Sequence, residues 1–246
     1  MTLKERQQEI LQALKEKKSA EVADLAKTLY VSEATIRRDL SEMKSMGLIE
    51  RSHGKARLPD NSDEISIFIR MEKNVTEKEK TASVALMHIP PFKSLYIDSS
   101  STALALAQRL DLAFKTVVTN NLQTALLLAK KSDIKLYILG GQVQNNTNCA
   151  SGSWTTRQLG EFSFDLMICS CATVQGGDAY ERSMEQREIK AEAFKRCARH
   201  ILVVDHTKFE ESATYRLNSL ADYDLVVTDA PPPATLDTSA INIIWQ

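Results

Sequence analysis

From residue 94 to the carboxyl end, short apolar runs alternate with stretches of helical pattern. "SLYIDSSST", "KTVVTNN", "IKLYILGG", "FDLMICSCAT", "HILVVDHTKF", "DLVVTD" and "INIIWQ" each hold a strand-length run, most of them rich in β-branched or aromatic residues. "ALALAQRL", "LQTALLLAKK" and "SMEQREIKAEAFKRCA" fall between them and repeat apolar residues at helical spacing. Strands that are apolar throughout, not only at every second residue, suit a sheet covered on both faces. The pattern therefore predicts an α/β domain with a mainly parallel sheet and helices on each side.

The first 58 residues follow another rule. "LKERQQEILQALKEKK" places Leu3, Ile10, Leu11 and Leu14 on one helical face, and Ser19 is the expected N-cap of a second helix, "AEVADLAKTL", with Val22, Leu25, Ala26 and Leu29 inward. Ser32 is placed to cap "EATIRRDLSEMKSM", whose Ile36, Leu40 and Met43 face inward, and Gly47 stops it. "LIERSHGKARL" reads as two short strands folded about His53 and Gly54. Three helices and a hairpin make a winged module. The expected division is 1–58 for this module, a turn-rich linker at 59–66 ("PDNSDE"), and 67–246 for an effector-sensing and oligomerisation domain.

Two helices joined by a tight turn, the second with exposed arginines, meet the needs of a helix-turn-helix. Ser32, Glu33, Thr35 and Arg37 point toward bases or backbone, with Arg38 at the edge. Arginine can pair bidentately with guanine, and hydroxyls can take phosphate or a thymine methyl. Arg51, His53, Lys55 and Arg57 on the hairpin would meet phosphates or the minor groove. An arginine pair on a helix more often only faces water, here with Arg38 answering Glu42 one turn on. The capped helices, tight turn and basic hairpin together favour DNA.

Charge distribution agrees. The net charge is −1, yet residues 1–58 hold 12 basic against 9 acidic side chains, leaving 19 against 23 in the remainder. The four cysteines (Cys149, Cys169, Cys171 and Cys197) lack histidines at zinc-ligand spacing and read as reduced core residues, so no metal and no cofactor are expected. The charged start "MTLKERQQEI" and the lack of long apolar runs predict a cytoplasmic chain with no membrane partner.

In an open parallel sheet, ligands sit beyond the carboxyl ends of the strands. Three loops there are small and polar: Asp98, Ser99, Ser100, Ser101 and Thr102; then Thr119, Asn120 and Asn121; then "GGQ" with Gly140 and Gly141. Small hydroxylated residues that open a helix offer N–H groups and hydroxyls to an anion. Lys190 and Lys208 could add positive charge. One such loop would be only a capped turn; three, with the lysines, predict an anionic polyol ligand.

Residues 6–58 resemble the amino-terminal domain of the DeoR family of bacterial transcriptional regulators, from Arg6 through Ile10 and Leu14 to "SEATIRRDL" and "GLIERSHGKARL". Lys55 stands where the family usually has a second glycine. From about Ile67 to Asp229 the chain resembles the family's effector domain at Arg70, Asn74, Glu79-Lys80, Asp98, Ser101, Thr102, Thr119, Asn120, Gly140, Gly141, Gly152, Glu188, Lys190, Asp205 and Lys208. The resemblance implies a fold similar to ribose-5-phosphate isomerase and a sensor of a phosphorylated sugar. The stretch with Cys169 and Cys171 departs from the Gly-rich sequence often found there. The expectation is a repressor of a carbohydrate operon, bound to double-stranded operator DNA as a dimer or tetramer.

Two rivals remain open. A sugar-phosphate isomerase or deaminase with an accessory helical domain would use Asp98 or Asp205 as acid or base, but neither sits in a tight acidic motif, so no catalytic residue is assigned. A protein-interaction module at residues 1–60 would show no salt-dependent DNA binding.

Overall fold

The computed structural model describes residues 3–46, 48–52, 54–58, 66–144 and 146–246. The expected roles of Gly47 and His53, and most of the linker, lie outside the described residues. The chain divides into two units, Met1–Ile69 and Arg70–Gln246.

The first unit runs α1 (Leu3–Lys17), β1 (Ser19–Glu21), α2 (Val22–Thr28), α3 (Glu33–Ser45), β2 (Glu50–Ser52) and β3 (Lys55–Arg57). Ile10 and Leu14 of α1, Leu25 of α2, and Ile36, Leu40 and Met43 of α3 are buried in one core with Ala56 of β3. Isolated helices this short are marginal in water, so their order comes from this packing. Each fully buried Leu or Ile contributes about 1.5–3 kcal/mol. Ser32 caps α3 as expected, its hydroxyl accepting from the Thr35 N–H at 3.2 Å. Ser19 does not cap α2: it begins β1, which pairs antiparallel with β3, while β2 pairs on the other side. The reason is that β3 is a central strand with two edges to satisfy, and Ser19–Glu21 supplies the second ladder. Glu21 stands at the N-cap of α2 instead.

The second unit begins within α4 (Ile67–Glu72), followed by α5 (Val75–Leu86). Phe68 and Ile69 pack against the core of the first unit, so that unit reaches further along the chain than residue 58. Then come β4 (Ser94–Ile97), α6 (Ser101–Arg109), β5 (Thr116–Thr119), α7 (Leu122–Leu128), β6 (Lys135–Ile138), β7 (Gln142–Gln144), β8 (Cys149–Ser151) and α8 (Ser153–Leu159). After these follow β9 (Leu166–Cys169), β10 (Thr173–Gln175), β11 (Asp178–Glu181), α9 (Met184–Arg196), β12 (His200–Val203), β13 (Tyr215–Ser219), β14 (Leu225–Thr228) and β15 (Ile243–Trp245).

Seven of these strands form one sheet in the order β15-β14-β12-β9-β4-β5-β6, and every pairing in it is parallel. Successive residues of a strand point to opposite faces, and both faces are apolar. Leu95, Ile97, Ile168, Ile201 and Val203 face one core with Ala85 of α5 and Leu106 of α6. Tyr96, Met167, Cys169 and Leu202 face the other with Leu159 of α8 and Ile189 of α9. This explains the uninterrupted apolar runs. A smaller antiparallel sheet, β10-β11-β13, is attached beside β9, its first hairpin turned by Gly176 and Gly177 at φ +57° and +88°.

The strand order reverses between β4 and β9: β4 leads outward to β5 and β6, and β9 to β12 and β14. Such a switch point opens a crevice at the carboxyl ends of the two strands.

Candidate functional site

On α3, burial of Ile36, Asp39, Leu40 and Met43 leaves Glu33, Ala34, Arg37, Arg38 and Ser41 exposed as a stripe. Arg37 Nη2 donates to Glu33 Oε2 at 2.6 Å, one turn back. Arg51 of β2 donates from Nη1 to Ser41 Oγ at 2.8 Å, which ties the hairpin to the helix. Arg38 has no hydrogen bond or ion pair among the described residues; the Glu42 pairing of a merely solvated helix is absent, and Glu33–Arg37 takes the one-turn spacing instead. Thr35 is half-buried and its hydroxyl lies 2.9 Å from Ser32 Oγ, so it serves the cap. Lys55 and Arg57 share the outer face of β3, beside Glu21 at 3.2 Å and Glu50 at 2.6 Å. Asp39 is buried and charged, gripped by Arg6 of α1 through Nε at 2.7 Å and Nη2 at 3.1 Å. That pair fixes the roll of α3 against α1.

At the switch point of the second unit, Asp98 leaves the end of β4 fully buried. Its Oδ1 accepts from the Ser100 N–H at 3.0 Å and the Ser100 hydroxyl at 2.6 Å; its Oδ2 accepts from the Ser170 N–H at 3.1 Å. Lys190 Nζ lies 2.8 Å from Asp98 Oδ2 and 2.6 Å from Glu181 Oε1, and donates to the Ser170 carbonyl. Burial pulls the Lys190 ammonium down, but Asp98 and Glu181 outweigh it and hold it well above the usual lysine range. Lys190 is thus a pin between β4, β9 and β11, with its charge already answered.

Ser99 donates to Gln186 at 2.7 Å, and Ser100 caps α6 by accepting from the Ala103 N–H. Ser101 and Thr102, in the first turn of α6, have hydroxyls without a hydrogen-bond partner among the described residues. Asn120 accepts from the Tyr96 hydroxyl and donates to the Ala150 carbonyl, both at 3.0 Å. Asn121 caps α7, and the Thr119 hydroxyl accepts from the Asn121 N–H. The Gly140 carbonyl accepts from Thr155 at 2.8 Å. A Cβ on Gly141 would fall 2.1 Å from Thr155 Oγ1, so this glycine serves close packing on α8. Gly152 opens α8 at φ +91°. Of the three small polar loops, the first keeps free donors; the other two are closed by their own hydrogen bonds.

Beside it lies a cluster of cations. Lys78 of α5 is buried, and its ammonium donates to the carbonyls of Arg70 and Lys73. Burial pulls it down to about 8; Asp205 opposes that, while Lys208, Arg70 and Lys73 add to it. Asn74, held in the left-handed region at φ +54°, donates to Thr207 Oγ1 at 2.9 Å and to Asp205 Oδ1 at 3.5 Å. Buried atoms here still lack partners: Arg70 Nε and Nη2, Asp205 Oδ2 and Ser170 Oγ. Unpaired buried polar atoms are costly, and their gathering near free helix-end donors marks a place prepared for a polar ligand. His206 Nδ1 lies 2.9 Å from Asp229 Oδ2, which raises the imidazole. The four cysteines are buried and form no disulfide among the described residues, and burial pushes the Cys171 thiol up to about 12, which disfavours its thiolate. No group of metal-ligating residues occurs among the described residues.

Residues 6–62 match the DeoR-like helix-turn-helix domain, and residues 73–230 match the DeoR C terminal sensor domain. The chain belongs to the DeoR family. It is a DNA-binding transcriptional regulator. The glycerol-3-phosphate regulon repressor of Escherichia coli is 32% identical over 92% of this chain and 91% of its own length. The L-fucose operon activator of Escherichia coli is 30% identical over 94% of this chain and 96% of its own. Among solved structures, ribose 5-phosphate isomerase A from Methanocaldococcus jannaschii is 14% identical over 56% of this chain and 55% of its own, with a TM-score of 0.40.

In this DeoR-family chain the site adds residues that sequence reading passed over. "TEKEK" holds two Glu-Lys steps; the reading placed the family pair on Glu79-Lys80, yet Lys80 is exposed and Lys78 is buried. Helical phase is the reason for that burial, since Lys78 shares a face with the buried Thr81, Ala82 and Ala85. Glu181, Gln186 and Ser170 had no local motif to betray them. No described helix is long and apolar enough to cross a membrane.

Proposed function

We propose that the chain represses a carbohydrate-use operon in the cytoplasm, and that a phosphorylated sugar or polyol in the second unit controls its hold on DNA. The carrying observation is the switch point: free hydroxyls of Ser101 and Thr102 open α6 next to a cluster in which Arg70, Lys73, Lys78 and Lys208 outnumber Asp205 and Glu211. A phosphate there would accept from the helix end and the ammonium groups. Asp98 and Lys190 shape the floor, and Asp205 with Asn74 would address ligand hydroxyls. On DNA, Arg37 and Arg38 would read base edges, while Ser32, Arg51, Lys55 and Arg57 hold phosphates and Glu33 releases Arg37. Two half-sites require two copies, so the chain would act as a dimer or tetramer. The names of the similar proteins, one of glycerol 3-phosphate and one of L-fucose, agree with a small phosphorylated polyol or sugar.

The test is a thermal-shift panel of glycerol 3-phosphate, pentose 5-phosphates and hexose 6-phosphates, with coupled turnover assays on each compound. Stabilisation without turnover supports a sensor. Turnover of any of them returns the isomerase reading, and no stabilisation by any sinks the effector assignment.

A further inference from the structure

Lys78 is the one buried lysine of the cationic cluster, and its partners are neutral. Among the described residues no carboxylate pairs with it; its ammonium rests on the carbonyls of Arg70 and Lys73. The Arg70 carbonyl lies in the last turn of α4, a helix of six residues, and the Lys73 carbonyl follows directly after it. The last carbonyls of a helix have no partner within it, so Lys78 acts as their cap. Capping matters most in so short a helix. The same helix carries Phe68 and Ile69, which pack against the core of the winged unit.

Lys78 also lines a cleft of about 460 Å3 together with Ser101, Val75 and Leu104. The cap and the free hydroxyl of α6 therefore open on the same space. A buried cation hydrogen-bonded only to carbonyls, with Asp205 set against the like charges of Lys208, Arg70 and Lys73, is incompletely compensated. A phosphate in the cleft offers a stronger, charged partner, and the flexible lysine stem can turn to it.

From these contacts we infer that Lys78 is a two-position latch, capping α4 when the site is empty and leaving α4 to hold the effector's phosphate when it is filled. This rests on the proposed effector site. Phosphate binding then costs α4 its cap, and the order of α4 becomes the quantity that links ligand to DNA hold. Without the lysine, α4 would be uncapped in both states.

Hydrogen–deuterium exchange on the full chain tests it, using whichever of glycerol 3-phosphate, a pentose 5-phosphate or a hexose 6-phosphate gives the largest thermal shift, with inorganic phosphate beside it. In the wild type, saturating ligand is expected to slow exchange at residues 99–104 and to speed it at 67–74 by about fivefold or more, the low end of ordinary coupling free energies. Lys78→Met should exchange fast at 67–74 without ligand and show no further change. Lys78→Arg, which keeps the charge, should restore a ligand response, and it carries the test if the methionine variant fails to fold. Slowed exchange at 99–104 with 67–74 unmoved in the wild type overturns the latch and leaves the effector site standing. No change at either segment with any compound overturns both.

Discussion

The winged unit and the sensor unit treat charge in opposite ways. On the first, the cations that would meet DNA sit in water beside glutamates: Arg37 with Glu33, Lys55 with Glu21, Arg57 with Glu50. Exposed pairs of this kind are worth about 0–1 kcal/mol, so DNA phosphates can displace the glutamates at small cost. In the second, Lys190 lies buried between Asp98 and Glu181, and Lys78 is buried against carbonyls. Buried charges cannot drift; they occupy one arrangement or another. The proposed reading surface suits exchange of partners, and the proposed sensing site suits discrete states.

The largest effect expected from that contrast is at Lys190. Lys190→Met leaves the carboxylates of Asp98 and Glu181 buried without their cation, and should destabilise the sensor unit by about 3–5 kcal/mol in denaturant unfolding. A loss under about 1 kcal/mol would mean the triad is wet and exchangeable, and the contrast would collapse. By comparison Arg37→Ala should move stability by no more than about 0.5 kcal/mol. It should weaken specific operator binding by about 1–3 kcal/mol while sparing random DNA. Full operator affinity in a gel-shift titration would remove Arg37 from the reading surface and leave Arg38, which has no ion pair among the described residues, as the reader.

The same contrast explains what could be read from sequence. Local chemistry was legible: the Ser32 cap, the inward Ile36, Leu40 and Met43, and the apolar runs that became the sheet. The loop of Ser99–Thr102 was legible because a helix start follows a strand directly. Long-range partners were not. Arg6 finds Asp39 from 33 residues away, and Ser99 finds Gln186 from 87. Ser19 went astray because a three-residue strand has no pattern of its own; only the free edge of β3 calls for it. Lys190 matched a motif, yet its partner Glu181 sits in a small sheet that no periodicity announced.

A pH series separates Lys78 from His206 by sign. Lys78 titrates near 8 in the folded chain against an ordinary 10.5, so between those values the unfolded chain binds more protons. Stability without ligand should therefore rise with pH across that window. Phosphate needs the ammonium, so ligand affinity should fall as pH passes about 8, by up to about tenfold per unit. His206, raised by Asp229, works the other way on stability: its contribution is present below its ordinary value and lost as pH rises through its raised one. Lys78→Met isolates the lysine's share, because it leaves His206 in place. Ligand affinity flat from pH 7 to 9.5 would show that Lys78 does not face the phosphate.

The smallest effect is expected at Lys55, and it tests the exchange of partners most directly. Lys55 is 59% exposed and its glutamate partner 56%, so neither holds the fold. Lys55→Ala should weaken binding to operator and random DNA alike, by less than about 1 kcal/mol, and reduce the salt slope by about one ion. Glu21→Gln should do the reverse, since Lys55 then leaves no partner behind when it meets phosphate. If the two are linked through that exchange, the gain from Glu21→Gln must vanish in the Lys55→Ala background. A gain that persists there would show Glu21 repelling DNA by itself, with the Lys55 pair a bystander.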